Sequence, residues 1–226
     1  MKNINRKICI IPLKSNSIEV KNKNIKLLNG KPLFCHVTDQ VLKSKIFDKI
    51  VFAIDTQKYE KLIKKFYNHK VDVFYRSKKS ISHSSPSEVV LEEVLRKNTN
   101  FKTCCMIQAT TPFLYFKDLI NATKVYEDKK LDSLFSCYKK NIFLWSNQRK
   151  LSPINFKINK RPMRQKNYSN IVENGSFYFF DTKGFMKNKT RYFGKKSFYV
   201  ISEFRSIDID SLEDFNFCKK LSTFLK

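Results

Sequence analysis

Residues 103–137 read TCCMIQATTPFLYFKDLINATKVYEDKKLDSLFSC. An apolar run too short for a helix (103–108) breaks at ATTPF. A stretch with apolar residues at helical spacing follows (116–128), and then a second apolar run (131–137). Short apolar runs without polar alternation suit strands covered on both faces, and a helix-length connection between two of them reads as a βαβ unit.

The same rhythm continues outward in both directions. Upstream lie VDVFY (71–75) with a Pro-started helix from Pro86 to Arg96, KIVFAID (49–55) with a helix over 56–67, and a first strand at Lys7–Pro12. That first strand leads into the polar loop LKSNSIEVKNKN, after which Gly30-Lys31-Pro32 starts a helix running to about Ser44. Downstream, SFYFF (176–180) is a strand, 181–187 a short helix, Ser197–Ile201 a strand and 212–225 a terminal helix capped around Asp210-Ser211 and Asp214. Between Tyr138 and Val172 the periodicity loosens among Pro, Asn and clustered cations, which reads as a flexible loop or an arm. The expectation is one α/β domain over 1–226 with a mostly parallel central sheet flanked by helices.

With 42% hydrophobic residues in 226, the chain has enough apolar mass for a core, and intrinsic disorder is excluded. Its 45 Lys+Arg against 20 Asp+Glu give a formal charge of +25, but 37 of the cations are Lys, only 8 are Arg, and they are spread through nearly every segment. Nucleic-acid readers gather cations on one face and lean on Arg. With 19 Asn and 21 Phe beside the Lys, a compositional drift is the favoured explanation over nucleic-acid binding. A basic surface that attracts nucleotides, RNA or membranes is the other reading. No stretch reaches the roughly 18–20 apolar residues of a membrane span, and MKNINRK leads into a short apolar run without a signal-peptide core, so a cytoplasmic protein that does not enter a membrane is expected. Six cysteines without CxxC spacing read as buried thiols, and the three dispersed His compose neither a metal site nor a Ser-His-Asp triad.

In an open α/β sheet, ligands bind beyond the carboxyl ends of the strands. The loop after the first strand places Lys14, Ser17, Lys23 and Asn24 beside backbone amides, which suits a triphosphate, although the glycines of a Walker A loop are missing and a merely solvated loop is the alternative. Asp208-Ile-Asp210 alternates, so on an extended segment its two carboxylates point one way, about 6–7 Å apart. They suit Mg²⁺ held together with a phosphate; the other reading is a helix cap with an incidental neighbour. Arg164-Gln165 offers a planar fork for a carboxylate or phosphate, or else a surface cation, and Gln108 ends a buried strand as a ligand-facing amide or a loop bond.

Taken in order, IIPLKSNSIEVKNKNIKLLNGKPL, FAIDT, FYRSKKSISHSSPSEVVLEEVL, MIQATTPF, RPMRQKNYSNIVENGSFYFF and SIDIDSLEDF resemble the acylneuraminate cytidylyltransferase family, the synthetases of CMP-sialic acid and its CMP-nonulosonic relatives. The resemblance implies a Rossmann-like nucleotidyltransferase that works as a homodimer, with 138–172 as an inserted arm reaching the partner and the active site. It implies CTP and a nine-carbon acidic sugar as substrates, and transfer of CMP to the anomeric hydroxyl with release of pyrophosphate. Carried over by position, it makes Lys14, Ser17, Lys23, Asn24, Arg76 and Ser87 nucleotide-binding. Gln108, Arg164, Gln165, Tyr178 and Phe193 become sugar-binding, with Arg164 facing the carboxylate. Asp208 and Asp210 become the Mg²⁺ ligands, catalytic together with Lys14 and Lys23.

This chain departs from the family pattern in its first loop, where Lys14, Asn16, Ile18 and Glu19 stand for Arg, Gly, Lys and Gly. Ala109 and Leu114 stand for Pro and Arg. A lost cation and a gained anion weaken neutralisation of the leaving pyrophosphate, which motivates the alternative of a nucleotide-binding homologue with impaired catalysis. A glycosyltransferase built on the Asp-Ile-Asp motif is disfavoured, because that motif usually follows an interior strand and here directly precedes the terminal helix.

Overall fold

The computed structural model describes residues 5–15, 19–82, 84–148, 150–163 and 169–224. Seven strands form one sheet: β1 (Lys7–Pro12), β2 (Lys49–Ile54), β3 (Asp72–Tyr75), β4 (Thr103–Ile107), β5 (Ser133–Asn141), β6 (Ser169–Asp181) and β7 (Lys196–Val200). Their spatial order is β7-β5-β6-β4-β1-β2-β3. All neighbours run parallel except at β6, which is antiparallel to both β4 and β5. The helices are α1 (Leu33–Ser44), α2 (Gln57–Tyr67), α3 (Lys78–Ile81), α4 (Ser87–Arg96), α5 (Phe116–Asp128), α6 (Thr182–Asn188) and α7 (Leu212–Phe224).

The apolar runs sort by parity. In β1, Cys9 and Ile11 join Phe52, Cys105, Phe177 and Phe179 under α1, α2 and α5, while Ile8 and Ile10 join Val51, Cys104, Met106, Tyr178 and Phe180 under α4 and α6. Covered on both faces, the central strands have no solvent side to alternate toward, which is why Ile8–Ile11 and Cys104–Ile107 carry no charged or hydroxyl side chain on either parity. All six thiols are buried and unpaired, as the spacing predicts. Among the described residues no helix is long and apolar enough to cross a membrane.

Two boundaries differ from the sequence expectation. Gly30-Lys31-Pro32 does not open α1: Asn29 and Gly30 both sit at positive φ (50° and 77°), so Leu27–Leu28 and Lys31–Pro32 pair as a tight hairpin and the helix begins after it. Asn-Gly is the preferred pair for such a turn, and it outweighs the helix-starting Pro. The loosely patterned 138–172 segment also begins and ends in the sheet, with Asn141 opposite Ser169 and Cys137 opposite Glu173. Beyond that ribbon, Trp145–Ser146 pairs with Ser152–Pro153, and Phe143 and Trp145 pack edge-on against Phe156.

Caps and ion pairs fix the elements that carry the loops. Arg205 makes a two-pronged pair with buried Asp118, whose carboxylate also accepts from the Tyr115 amide at the start of α5 (3.3 Å), and this anchors the segment leading to residues 206–211. Asp181 caps α6 by accepting from the Gly184 amide at 2.7 Å. Asp181→Ala is expected to cost about 1 kcal/mol of stability, read as a lower urea midpoint at unchanged m-value.

Candidate functional site

The loops beyond β1, β3 and β4 and the segment before α7 enclose a cavity of about 450 Å³ lined by Lys14, Glu19, Lys23, Asn24, Arg76, Ser85, Ser87, Met106, Gln108, Thr110 and Asp210, among others. Seven residues chosen from sequence thus meet in one place: Lys14, Lys23, Asn24, Arg76, Ser87, Gln108 and Asp210.

The first loop is held from below. The Lys14 carbonyl accepts from Asn24 Nδ2 (2.9 Å) and from the Tyr59 hydroxyl (3.0 Å), while Asp55 accepts from the Ser15 amide (2.8 Å) and hydroxyl (2.9 Å). Asn24 is therefore a pin for the loop as well as a cavity residue. Lys14 Nζ donates to the Ser82 carbonyl at 2.7 Å across the mouth. Burial, and then the nearby Arg76 charge, lower the Lys14 pKa, with Asp55 opposing. Arg76 is itself buried at the end of β3, donates to the Ser80 carbonyl, and has an Nε with no partner among the described residues. Burial lowers its pKa too, while Asp55 and Glu93 favour its charge. Two cations partly stripped of water, one of them with an unused Nε donor, form a wall suited to an anion.

The two aspartates lie on either side of Ile209, which is fully buried and donates its amide to the Thr110 carbonyl (2.9 Å). Asp210 is exposed and pairs with Lys23 at 2.9 Å. Asp208 lies deeper: burial, reinforced by Asp210, raises its pKa, with Thr110 and Lys23 opposing, and its Oδ1 is buried without a partner among the described residues. A β-bulge in β6 between Glu173 and Tyr178 brings Gly175 against this carboxylate. A Cβ on Gly175, whose φ is +72°, would come within 3.3 Å of both Asp208 Oδ2 and Gln108 Oε1, so only glycine lets the strand pass this close. A partnerless carboxylate oxygen next to a second carboxylate is a donor set that fits a hard divalent cation, although no group of three or more acidic, His or Cys side chains suited to a metal exists among the described residues.

Tyr178 and Phe193 are brought to the site's flank and not onto its lining. They are buried in one apolar cluster with Met106, and Phe193 packs where Gly184 leaves room. Ser17, Arg164 and Gln165 lie outside the described residues. Sequence reasoning overlooked Glu88, Glu173, Arg191 and Tyr192, which surround Tyr178: Glu173 accepts from both tyrosine hydroxyls, and the Arg191 guanidinium stacks 4.3 Å over the Tyr178 ring. The rarity of Arg, which drew attention to Arg164, applies equally to Arg191.

Comparison with known proteins gives the chain a family and a fold. The family profile described as Cytidylyltransferase matches residues 8–224. N-acylneuraminate cytidylyltransferase A of Danio rerio is 31% identical over 206 residues, 89% of this chain and 47% of that protein. Pseudaminic acid cytidylyltransferase of Campylobacter jejuni is 25% identical over 227 residues, 96% of each. The chain thus spans about half the length of the Danio relative and nearly all of the Campylobacter one. A solved CMP:2-keto-3-deoxy-manno-octonic acid synthetase complexed with CTP has the same Rossmann-like fold, with a TM-score of 0.76 at 14% identity over 98% of this chain and 100% of that one.

Proposed function

Since the chain belongs to the cytidylyltransferase family, we propose that it transfers CMP from CTP to the anomeric hydroxyl of a nonulosonic, sialic-acid-like sugar and releases pyrophosphate. The observation that carries this reading is the convergence of Lys14, Lys23, Arg76 and Asp210 on one cavity at the carboxyl ends of the strands.

In the reaction the sugar oxygen forms a bond to the α-phosphorus as the bond to the bridging oxygen of pyrophosphate breaks. Positioning and charge neutralisation suffice for such a transfer, without a covalent enzyme intermediate. Lys14 and Lys23 hold the β- and γ-phosphates, with Ser17 and Asn24 in the same loop. Arg76 and Ser87 complete the nucleotide pocket, and Gln108, Arg164, Gln165, Tyr178 and Phe193 take the sugar. Asp208 and Asp210 would hold Mg²⁺, which when bound would help neutralise the phosphate charge and acidify the attacking hydroxyl. Lys23 leaves Asp210 for the phosphates when the substrates arrive. The segment 138–172 serves as an arm in a homodimer; Leu151, Ile154, Ile158 and Met163, each more than half exposed, are the apolar side chains that a second copy covers. The six unpaired thiols favour a reducing, cytoplasmic setting.

The test is pyrophosphate release from CTP and Mg²⁺ with N-acetylneuraminic, legionaminic and pseudaminic acids, beside UTP and ATP controls. Release that depends on the acid and on CTP supports the reading and identifies the substrate. A second reading, a CTP-binding protein with impaired catalysis, is favoured by the Lys14 amine being committed to the Ser82 carbonyl and by Glu19 on the cavity wall. It would appear as CTP raising the melting temperature with no product from any acid. Ile18→Lys separates the two: an impaired loop gains roughly tenfold or more in kcat from the restored cation, whereas a competent one changes little, which is the outcome expected here.

A further inference from the structure

Behind the Met106 wall of the cavity lies a polar cluster that the roles above leave unused. Arg191 enters it from the turn after α6. Its guanidinium lies 4.3 Å over the Tyr178 ring and 5.8 Å from that of Tyr192, its Nε is 3.2 Å from Glu88 Oε1, and its Nη1 faces the Met106 sulfur at 3.0 Å. Only 15% of its side chain is exposed.

Three features define what this group binds. Stacking on one side and an ion pair on the other hold the guanidinium flat and in place, so little side-chain freedom remains to be lost on binding. Its donors are poorly used: the Nε is buried without a well-aligned hydrogen bond despite the nearby Glu88, and Nη1 is directed at a thioether, a weak acceptor that an oxygen displaces readily. Its charge is already balanced by Glu88, with Glu173 close by on the two tyrosine hydroxyls. A balanced guanidinium between the Tyr178 ring and the Met106 sulfur, both part of one buried apolar cluster, offers a directed N–H with little net charge. That suits a neutral carbonyl carrying a small alkyl group better than a carboxylate. Met106, unbranched and flexible, is the side chain that turns aside to admit it.

We propose that Arg191 is a specificity-determining residue that donates from its Nη1 to the carbonyl oxygen of an N-acyl group on the acceptor sugar, with Met106 and the Tyr178 ring against the acyl methyl. The assignment rests on the proposed transfer to an acid sugar. It makes the distinction between acylated and non-acylated acids a property of this corner, apart from the nucleotide half of the site.

The experiment measures pyrophosphate release by the wild-type protein, Arg191→Met and Arg191→Lys with an N-acetylated nine-carbon acid and with its deaminated analogue, which carries a hydroxyl in place of the acetamido group. CTP affinity and melting temperature are recorded for each. Arg191→Met is expected to raise KM for the acetylated acid about 30-fold and to change KM for the analogue less than about threefold, with CTP affinity held. Arg191→Lys, lacking the planar fork, recovers only part of the loss. Equal losses on both acids, no loss on either, or a parallel fall in CTP affinity and melting temperature overturns the assignment. A wild-type protein that turns over none of the acids, legionaminic and pseudaminic acids included, would overturn the transfer reading itself, an outcome distinct from indifferent variants of an active enzyme.

Discussion

Asp208→Ala is expected to lower kcat/KM for CMP transfer by about 10³-fold, and Asp208→Asn to do nearly the same, while the protein with Asn at this position melts above the wild type. Both outcomes follow from one feature, a carboxylate held in a place that suits its charge poorly until a cation arrives. Burial raises its pKa, Asp210 adds to the effect, and its Oδ1 has no partner. A carboxyl group whose pKa is higher folded than unfolded binds its proton more tightly in the folded state. Stability from such a group is fully present below the unfolded pKa, is lost as pH rises through the raised folded value, and is absent above it. An amide of the same shape removes that penalty; gains from relieving a buried unsatisfied group run to about 1–3 kcal/mol, each kcal/mol worth roughly 2–4 °C in a domain of this size. Pyrophosphate release and thermal melts on the same preparations check both halves. Wild-type turnover in Asp208→Asn would remove it from the metal site, and a lower melting temperature would make it a structural residue.

How much of this was legible in the sequence depended on range. The short apolar runs around KICII and TCCMI and the periodicity of the 116–128 helix are local, and those elements fall within a residue or two of their expected bounds. The cavity residues Lys14, Lys23, Asn24 and Asp210 were found because each stands in a loop directly after a strand or before a helix, where the fold class itself places ligands. The Asn29-Gly30 hairpin was a local signal that the neighbouring Pro32 overshadowed. Asp208 and Asp210 have the same residue type and the same parity, yet one is largely buried and the other exposed. That difference arises from Gly175 and Gln108, which lie 33 and 100 positions away in the chain, and no short-range pattern encodes it. Arg191, Glu88 and Glu173 were invisible for the same reason: they come from three separate elements and become a cluster only around Tyr178.

The residue that joins fold to site most directly is Asn174, and Asn174→Ala is expected to cost about 3 kcal/mol, a fall of roughly 6–12 °C in melting temperature, together with most of the activity. Its side chain is buried in the bulge of β6, where Oδ1 accepts from the Ser136 hydroxyl (2.7 Å) and the Ser176 amide (3.2 Å) and Nδ2 donates to the Ser206 hydroxyl (2.9 Å). Ser136 in turn accepts from the Phe177 amide at 2.9 Å. One amide thus joins β5, the bulge that carries Gly175, and the segment two residues before Asp208. Alanine takes the acceptor from the buried Ser176 amide and one bond each from the Ser136 and Ser206 hydroxyls, which keep the Phe177 and Ser202 carbonyls, so the cost exceeds that of a single exposed hydrogen bond. It also frees the backbone that brings Gly175 against Gln108 and Asp208. Ser206→Ala is the sharper companion, because it keeps the Asn174 bonds inside the bulge and cuts the tie to the aspartate segment, together with the hydroxyl's own bond to the Ser202 carbonyl. It is expected to lose about 1 kcal/mol but to share much of the kinetic defect. If Asn174→Ala melts like the wild type, the network is not holding the bulge; if it melts early yet Ser206→Ala retains full kcat/KM, the bulge stabilises the sheet without aiming Asp208.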